Sequence, residues 1–225
     1  RLDAAGAVAA LQAVFLQSRQ GPPKGQAARP RPVSATRPVR WPAEAIWEAV
    51  SPLLPGFTVE VLPTIDSTNT ELMRRARAGR CEPTLLVAEQ QTAGRGRLGR
   101  VWQSDVGASL MMSLGLPLTP QDWSGLSLAV GVSVAESLQP MLPAVGNDRP
   151  ARIGLKWPND LWLGGAGGER KLGGILVETA SFVAPQAAAA ERCASARYVV
   201  VGIGINVLPR SGDGLSMPPG SLQDV

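Results

Sequence analysis

The sequence predicts an α+β domain: one mixed, mostly antiparallel β-sheet with helices packed on one face. Two observations carry this. Short apolar stretches with strand-like patterning recur from residue 57 to residue 208, while helical periodicity is confined to a few segments. The best strand, Arg197–Leu208, alternates cleanly, with Val199, Val201, Ile203, Ile205 and Val207 on one face and Val200, Gly202, Gly204 and Asn206 on the other.

The elements follow in order. Residues 1–18 are Ala-rich and suit a short helix, and 19–42 are rich in Pro, Gly and Arg, as in a linker or disordered segment. Residues 1–42 are therefore expected to be disordered or loosely packed, with the folded domain at 43–225. Phe57–Ile65 reads as a strand. Thr68 with Glu71 fits a capping box, which starts a helix over about 69–78 that Gly79 stops. Thr84–Glu89 and Ala108–Leu116 read as strands, and Asp122–Leu142 as a helix. Arg152–Pro158, Leu161–Leu163 and Arg170–Thr179 are strands, with a glycine hairpin at 164–168, and 181–196 reads as loop.

Charge and composition exclude several functions. Residues 1–40 carry +6 and residues 41–225 carry −2, so the folded part is not a basic nucleic-acid platform. The absence of histidine removes Ser-His-Asp and Cys-His catalysis and any histidine-ligated metal. Cys81 and Cys193 lie far apart, without zinc spacing, and two thiols suit a reducing cytoplasm. No apolar run reaches the ~18 residues of a membrane span.

Gly94-Arg95-Gly96-Arg97-Leu98-Gly99-Arg100 alternates glycine with arginine. Glycines allow close backbone approach and an N–H nest for an anion, and arginines add permanent, forked charge. The spacing also matches a dinucleotide fingerprint, but a strand rather than a helix follows it. No Gly-Lys-Ser/Thr follows either, which excludes a Walker loop. Lys156-Trp157-Pro158-Asn159-Asp160 puts a compact charge at a strand end. Lysine is scarce here: Lys24, Lys156 and Lys171 stand among 22 basic residues. Two glycines and an amide on one face of the last strand, Gly202, Gly204 and Asn206, leave a bare patch where a ligand or another backbone can lie close.

Four stretches together resemble the catalytic domain of biotin–protein ligases: Asp66-Ser67-Thr68-Asn69; Gln91 through Arg100 with Trp102; Lys156–Asp160 with Lys171–Glu178; and Gly202–Asn206. The resemblance covers about residues 57–225. It implies a class II synthetase-like fold and an ATP-dependent ligase. Such enzymes activate biotin as biotinyl-5′-AMP and pass it to a lysine of a biotin carboxyl carrier domain of acetyl-CoA carboxylase or a related carboxylase. Biotin's carboxylate is already ionised, so a chain without histidine needs no general base. Positioning and electrostatics then carry the chemistry.

By match, Ser67, Thr68, Asn69 and Gln91 line the biotin pocket, with Gly174, Gly202 and Gly204 as its bare wall. Gly94, Arg95, Gly96, Arg97 and Arg100 hold carboxylate and phosphates, with Arg97 catalytic. Trp102 covers the intermediate. Lys156 bridges the biotin carboxylate and the α-phosphate, and Lys171 is a weaker candidate. Asn159 and Asn206 lie by the nucleotide, and Asp160 is the candidate Mg2+ contact. The resemblance also implies a cytoplasmic protein with no membrane partner, and it admits a homodimer.

Residues 1–56 do not read as the winged helix of relatives that repress transcription, so operator-specific DNA binding is not expected. The family's catalytic domain continues past residue 225 into a small β-barrel, so the domain is expected to be incomplete at its C-terminus. Two rival readings are a lipoate ligase or octanoyltransferase of the same superfamily, and a ligand-binding module inactive by truncation.

Overall fold

A computed structural model describes residues 4–18, 41–119, 123–139, 152–165, 168–180, 197–212, 215 and 217–225. All but the last two residues of the expected linker over 19–42, the expected loop over 181–196 and part of the glycine hairpin lie outside the described residues.

Seven strands form one sheet: β1 (Thr58–Leu62), β2 (Thr84–Ala88), β3 (Ser109–Leu118), β4 (Arg152–Lys156), β5 (Asp160–Gly164), β6 (Arg170–Ala180) and β7 (Arg197–Asn206). Their order is β1-β2-β3-β7-β6-β5-β4, and only β1–β2 is parallel. That pair is joined by a helix, the connection a parallel pair requires. The expected class, a mixed and mostly antiparallel α+β sheet, is what the chain forms.

The helices divide between the faces, which corrects the expectation of one covered face. Helices α1 (Ala4–Ser18), α2 (Ala43–Val50) and α4 (Leu126–Leu138) cover one face. Their apolar residues meet Leu85, Val87, Leu114, Val199, Val201, Ile203 and Ile205 in the main core. Helix α3 (Thr68–Arg77) lies on the opposite face, where Leu72, Met73 and Ala76 pack on Leu86, Tyr198 and Val200. The reason is visible in the central strands. β2 and β7 are apolar on both faces near α3, as strands buried on both sides must be. Gly115, paired with Val200 and diagonal to Tyr198, has no side chain, and a Cβ there would run into the Tyr198 ring. Burial first, then the nearby negative charges of Cys81 and Glu82, hold the Tyr198 phenol above its usual range.

The N-terminal side differs from the sequence reading in one expectation and one omission. Helix α1 is not loosely packed: Ala7, Ala10, Leu11, Val14 and Phe15 are buried in the main core, against α2 and α4. Helix α2 has no counterpart in the sequence reading, since eight residues hold too few periods to stand out.

The cap of α3 also differs. Ser67, not Thr68, is the N-cap: its extended backbone (φ −159°, ψ 131°) lets Oγ accept from Thr70 N at 3.3 Å. Glu71 turns away to bind Arg74 and Arg75 instead of closing a capping box.

Candidate functional site

The face of the sheet that carries α3 also carries a cleft of about 640 Å³. Its floor is set by register. One row crosses five strands as Met111–Gly204–Gly174–Asp160–Lys156, and the next runs Ser113–Gly202–Leu176. A break in register between Leu161 and Trp162 on β5 faces the point where β6 places an unmatched Leu172 between Lys171 and Gly173. This bulge sends both Leu172 and Gly173 toward the main core and leaves Lys171 on the cleft side of β6.

At one end of the cleft the start of α3 makes a polar pocket. Ser67, Thr68 and Asn69 are 2–3% exposed and Ser113 is fully buried. Gln91 Oε1 accepts from Thr68 N at 2.7 Å and lies 3.1 Å from Thr68 Oγ1. Ser113 Oγ lies 2.7 Å from Thr68 Oγ1 and 2.6 Å from Asn69 Oδ1. A hydroxyl has one proton, so Ser113 serves one of these acceptors at a time, and the group keeps accepting capacity for a ligand's N–H. Asn69 Nδ2 donates to Leu176 O at 3.2 Å and Glu178 Oε2 at 3.0 Å.

Ser67 is held from behind. Its N–H donates to Asp66 Oδ1 at 2.7 Å, while Arg74 binds Asp66 Oδ2 at 2.8 Å. Arg75 grips both oxygens of Glu60, at 2.6 and 2.9 Å, and Glu71 at 2.8 Å. The Glu60 bond first, opposed by burial and helped by Glu71, holds the Arg75 guanidinium above its usual range.

The Gly/Arg loop folds back on itself. Trp102 N donates to Gly94 O at 2.9 Å, Gly96 N to Arg100 O at 2.7 Å, and Arg100 N to Arg97 O at 3.2 Å. Gly94 allows the two arms to close, because a Cβ there would lie 2.5 Å from Trp102 O. Leu98 (φ 56°) and Gly99 (φ 73°) make the left-handed turn. No helix opens at Gly99, which removes the dinucleotide reading. The N–H groups of Gly96, Arg100 and Trp102 are bonded within the loop, which leaves those of Arg97, Leu98 and Gly99 at the turn, beside the arginine side chains, to face an anion. Arg95 pairs with Glu178, Arg97 Nη1 donates to Asn159 Oδ1 at 3.3 Å, and Arg100 is exposed.

The expected bare wall is partly filled by protein. A Cβ on Gly202 would meet the Asn69 amide, and one on Gly204 would come 2.7 Å from the Trp102 indole. Trp102 Nε1 is buried with no partner among the described residues. Gly174 stays open, beneath an ion pair of Lys171 Nζ and Asp160 Oδ1 at 2.8 Å. Lys156 is exposed, its Nζ 4.0 Å from the centroid of the Trp162 ring. Asn206 donates to Lys171 O at 3.3 Å and Gly220 O at 3.0 Å, and its buried Oδ1 has no partner among the described residues. Asn159 Nδ2 donates to Ile175 O at 2.8 Å.

Asp160, the candidate Mg2+ contact, lines the cleft. One carboxylate oxygen is taken by Lys171, and no group of three Cys, Asp or Glu that could hold a metal occurs among the described residues.

Every expected site residue except Gly94 lines the cleft, and Gly94 sits behind it as the hinge of the loop. Sequence reasoning missed Ser113, the pairing of Glu178, and the Trp162 ring under Lys156. The alternation of β3, which places Ser113 opposite Gly202, was the signal available for the first.

A sheet-floored cleft with a neutral polar pocket at one end and arginine and lysine side chains at the other has the chemistry that a polar, anionic ligand requires. The chain belongs to the Biotin/lipoate A/B protein ligase family, which it matches over residues 61–190. It is 37% identical over 153 residues to the biotin–[acetyl-CoA-carboxylase] ligase of Mycobacterium tuberculosis, covering 66% of this chain and 49% of that protein. It is 40% identical over 159 residues to the bifunctional ligase/repressor BirA of Escherichia coli, covering 70% and 43%. The chain therefore spans about half or less of the length of these two curated relatives. Among solved structures it is similar to the biotin protein ligase of Aquifex aeolicus in complex with biotin and ATP. There the TM-score is 0.51 and the identity 30%, with 74% of this chain and 60% of that one covered. The Leishmania major biotin protein ligase in complex with biotinyl-5-AMP also matches, with TM-score 0.51 and 25% identity over 73% and 63%.

Proposed function

We propose that this chain carries the adenylate-forming part of a biotin–protein ligase. It joins biotin to ATP as biotinyl-5′-AMP, and the biotinyl group then passes to a lysine of a biotin carboxyl carrier domain. The observation that carries this reading is the polarity of the cleft. A buried pocket of hydroxyls and amides at α3 suits a ureido ring, and cations across the same floor suit a carboxylate meeting a phosphate.

In the first step a carboxylate oxygen attacks the α-phosphate and pyrophosphate leaves. Both reactants are anions, so the site must bring like charges together and stabilise the charge that builds on phosphate. Thr68, Asn69, Gln91 and Ser113 hold the ring, and Arg95, Arg97 and Arg100 supply mobile positive charge from the loop. Between the two lysines the geometry favours Lys171. It is half-buried, held by Asp160 beside the open Gly174, whereas Lys156 is exposed on Trp162. Lys156 then serves the outer phosphates. Magnesium enters with ATP, held mainly by the phosphates, with Asp160 on the cleft floor as the candidate protein contact. In the second step the carrier lysine amine attacks the mixed anhydride, AMP leaves, and an amide forms.

The relatives' names support a carrier domain of acetyl-CoA carboxylase or a related carboxylase as acceptor, and a chain with two cysteines suits a cytoplasmic setting. Among the described residues no helix is long and apolar enough to cross a membrane. Helix α1 is committed to the core, so operator binding by it is not part of the reading.

The test is pyrophosphate release from biotin and Mg-ATP, followed by labelling of a carrier domain, with lipoate offered in parallel. Transfer of lipoate alone would sink the reading. Biotin binding without pyrophosphate release would instead leave a binding module.

A further inference from the structure

We propose that Glu178 is a positioning residue that joins the polar pocket to the Gly/Arg loop. Its carboxylate, on the cleft face of β6, is divided between two partners. Oε2 accepts from Asn69 Nδ2 at 3.0 Å, and Oε1 pairs with the Arg95 guanidinium.

The first contact fixes which way the Asn69 amide points. Its Nδ2 has two hydrogens, and Leu176 O at 3.2 Å and Glu178 take both. Asn69 Oδ1 is then held toward Ser113 Oγ at 2.6 Å, so the pocket presents oxygen rather than N–H at this point. A carboxylate is an acceptor only, which an amide in its place is not. The second contact clasps the loop. Arg95 lies on the first arm, bridged to Val101 on the second, and Glu178 is the anchor that ties that arm to the sheet. One side chain therefore orders the ring pocket and the loop that closes the cleft. The first job matters for the ring that the proposed function places there, and the second stands without that reading.

Glu178→Gln keeps the shape, loses the charge and can donate as well as accept. In the full 225-residue chain without ligand, trypsin should nick the Arg95–Arg100 loop about fivefold faster than in the wild type, the upper end for a half-exposed ion pair. Arg95→Ala should speed cleavage after Arg97 and Arg100 equally, and the double variant should be no faster than either single one. Unchanged nicking in Glu178→Gln, or additive effects, would overturn the clasp. If Glu178→Gln does not fold, Arg95→Ala alone decides, since Arg95 is exposed and its loss leaves the core intact.

The amide-fixing half is read in biotin binding. Glu178→Gln should raise the KM for biotin about fivefold while kcat changes less, because ring binding and not charge on phosphate is lost. Glu178→Asp, which remains an acceptor only, should recover part of it. Equal falls in kcat and kcat/KM, or no change, would overturn this half. A wild type that binds no biotin defeats the proposed function instead, and the proteolysis result still decides the clasp.

Discussion

Asn69 occupies the volume that a side chain on Gly202 would fill: a Cβ there would lie 2.8 Å from Asn69 Cγ. The glycine thus makes room for a protein amide, not only for a ligand. Gly202→Ala should push Asn69 off its bonds to Ser113 and Leu176 and cost about 1–3 kcal/mol in overpacking. Biotin affinity should fall by at least tenfold, while pyrophosphate release from saturating biotin slows less. Calorimetry with biotin checks it. Unchanged affinity would mean that the pocket lies elsewhere.

The motifs were legible because they are local. Ser67–Asn69, the Gly/Arg loop and Lys156–Asp160 each state their chemistry within a few residues, and all but one of the expected residues line a single cleft. The face assignment of β7 was legible too, from its period of two. What the sequence could not state depends on distant partners. Helix α3 crosses to the other face because β2 and β7 are apolar on both sides. Gly202 and Gly204 look bare in sequence, and only the fold brings Asn69 and Trp102 over them. Lys171 reaches the cleft through a bulge that no local pattern announces. The Ala-rich start reads as a weak helix, and its five buried apolar residues have meaning only against α2 and α4.

Helix α1 supplies a stability prediction. Phe15 is 2% exposed and sits in the main core. Phe15→Ala should destabilise the fold by about 3–5 kcal/mol, lowering Tm by roughly 6–20 °C for a domain of this size. Thermal unfolding followed by circular dichroism tests this. A change within 1 or 2 °C would return α1 to the loosely attached segment that its composition suggests.

The C-terminal segment holds the backbone of Lys171, since Lys171 N donates to Pro218 O and Gly220 N to Lys171 O. Asp224 closes that segment. The Ser221 backbone N–H first, with help from Arg170 and against burial, holds the Asp224 carboxyl below its ordinary 3.8. A depressed folded pKa means stability that is present above the unfolded pKa and lost as pH falls through the folded one. Asp224→Asn should therefore lower the urea midpoint at pH 7, and the gap from wild type should shrink below about pH 3.8. An equal gap at about pH 2.5 would count against this linkage.

Arg97 reaches across the cleft to Asn159 and is otherwise exposed on a loop whose two arms are joined by the Gly96 and Trp102 N–H groups. Arg97→Ala should leave the fold and biotin affinity near wild type. Biotinyl-AMP should escape faster, by roughly tenfold for the loss of one charge-assisted contact to phosphate. A filter assay of labelled adenylate measures the escape rate, and an unchanged rate would remove Arg97 from the site.

The two lysines separate by environment. Lys171 is fixed by Asp160 at 2.8 Å over the open Gly174, while Lys156 rests on the Trp162 ring at 4.0 Å and faces solvent. A fixed cation in a screened site stabilises developing charge without reorganising, and an exposed one is attenuated by water. Lys171→Ala should slow single-turnover pyrophosphate release by about 10²–10³-fold, the range for loss of one preorganised electrostatic group. Biotin should still bind, because the ring pocket at α3 is untouched. Lys156→Ala should cost about tenfold, mostly in the KM for ATP, as expected for a surface charge on an outer phosphate. The reverse ranking would restore Lys156 as the bridge between carboxylate and α-phosphate. It would also mean that the bulge on β6 presents Lys171 only to hold Asp160.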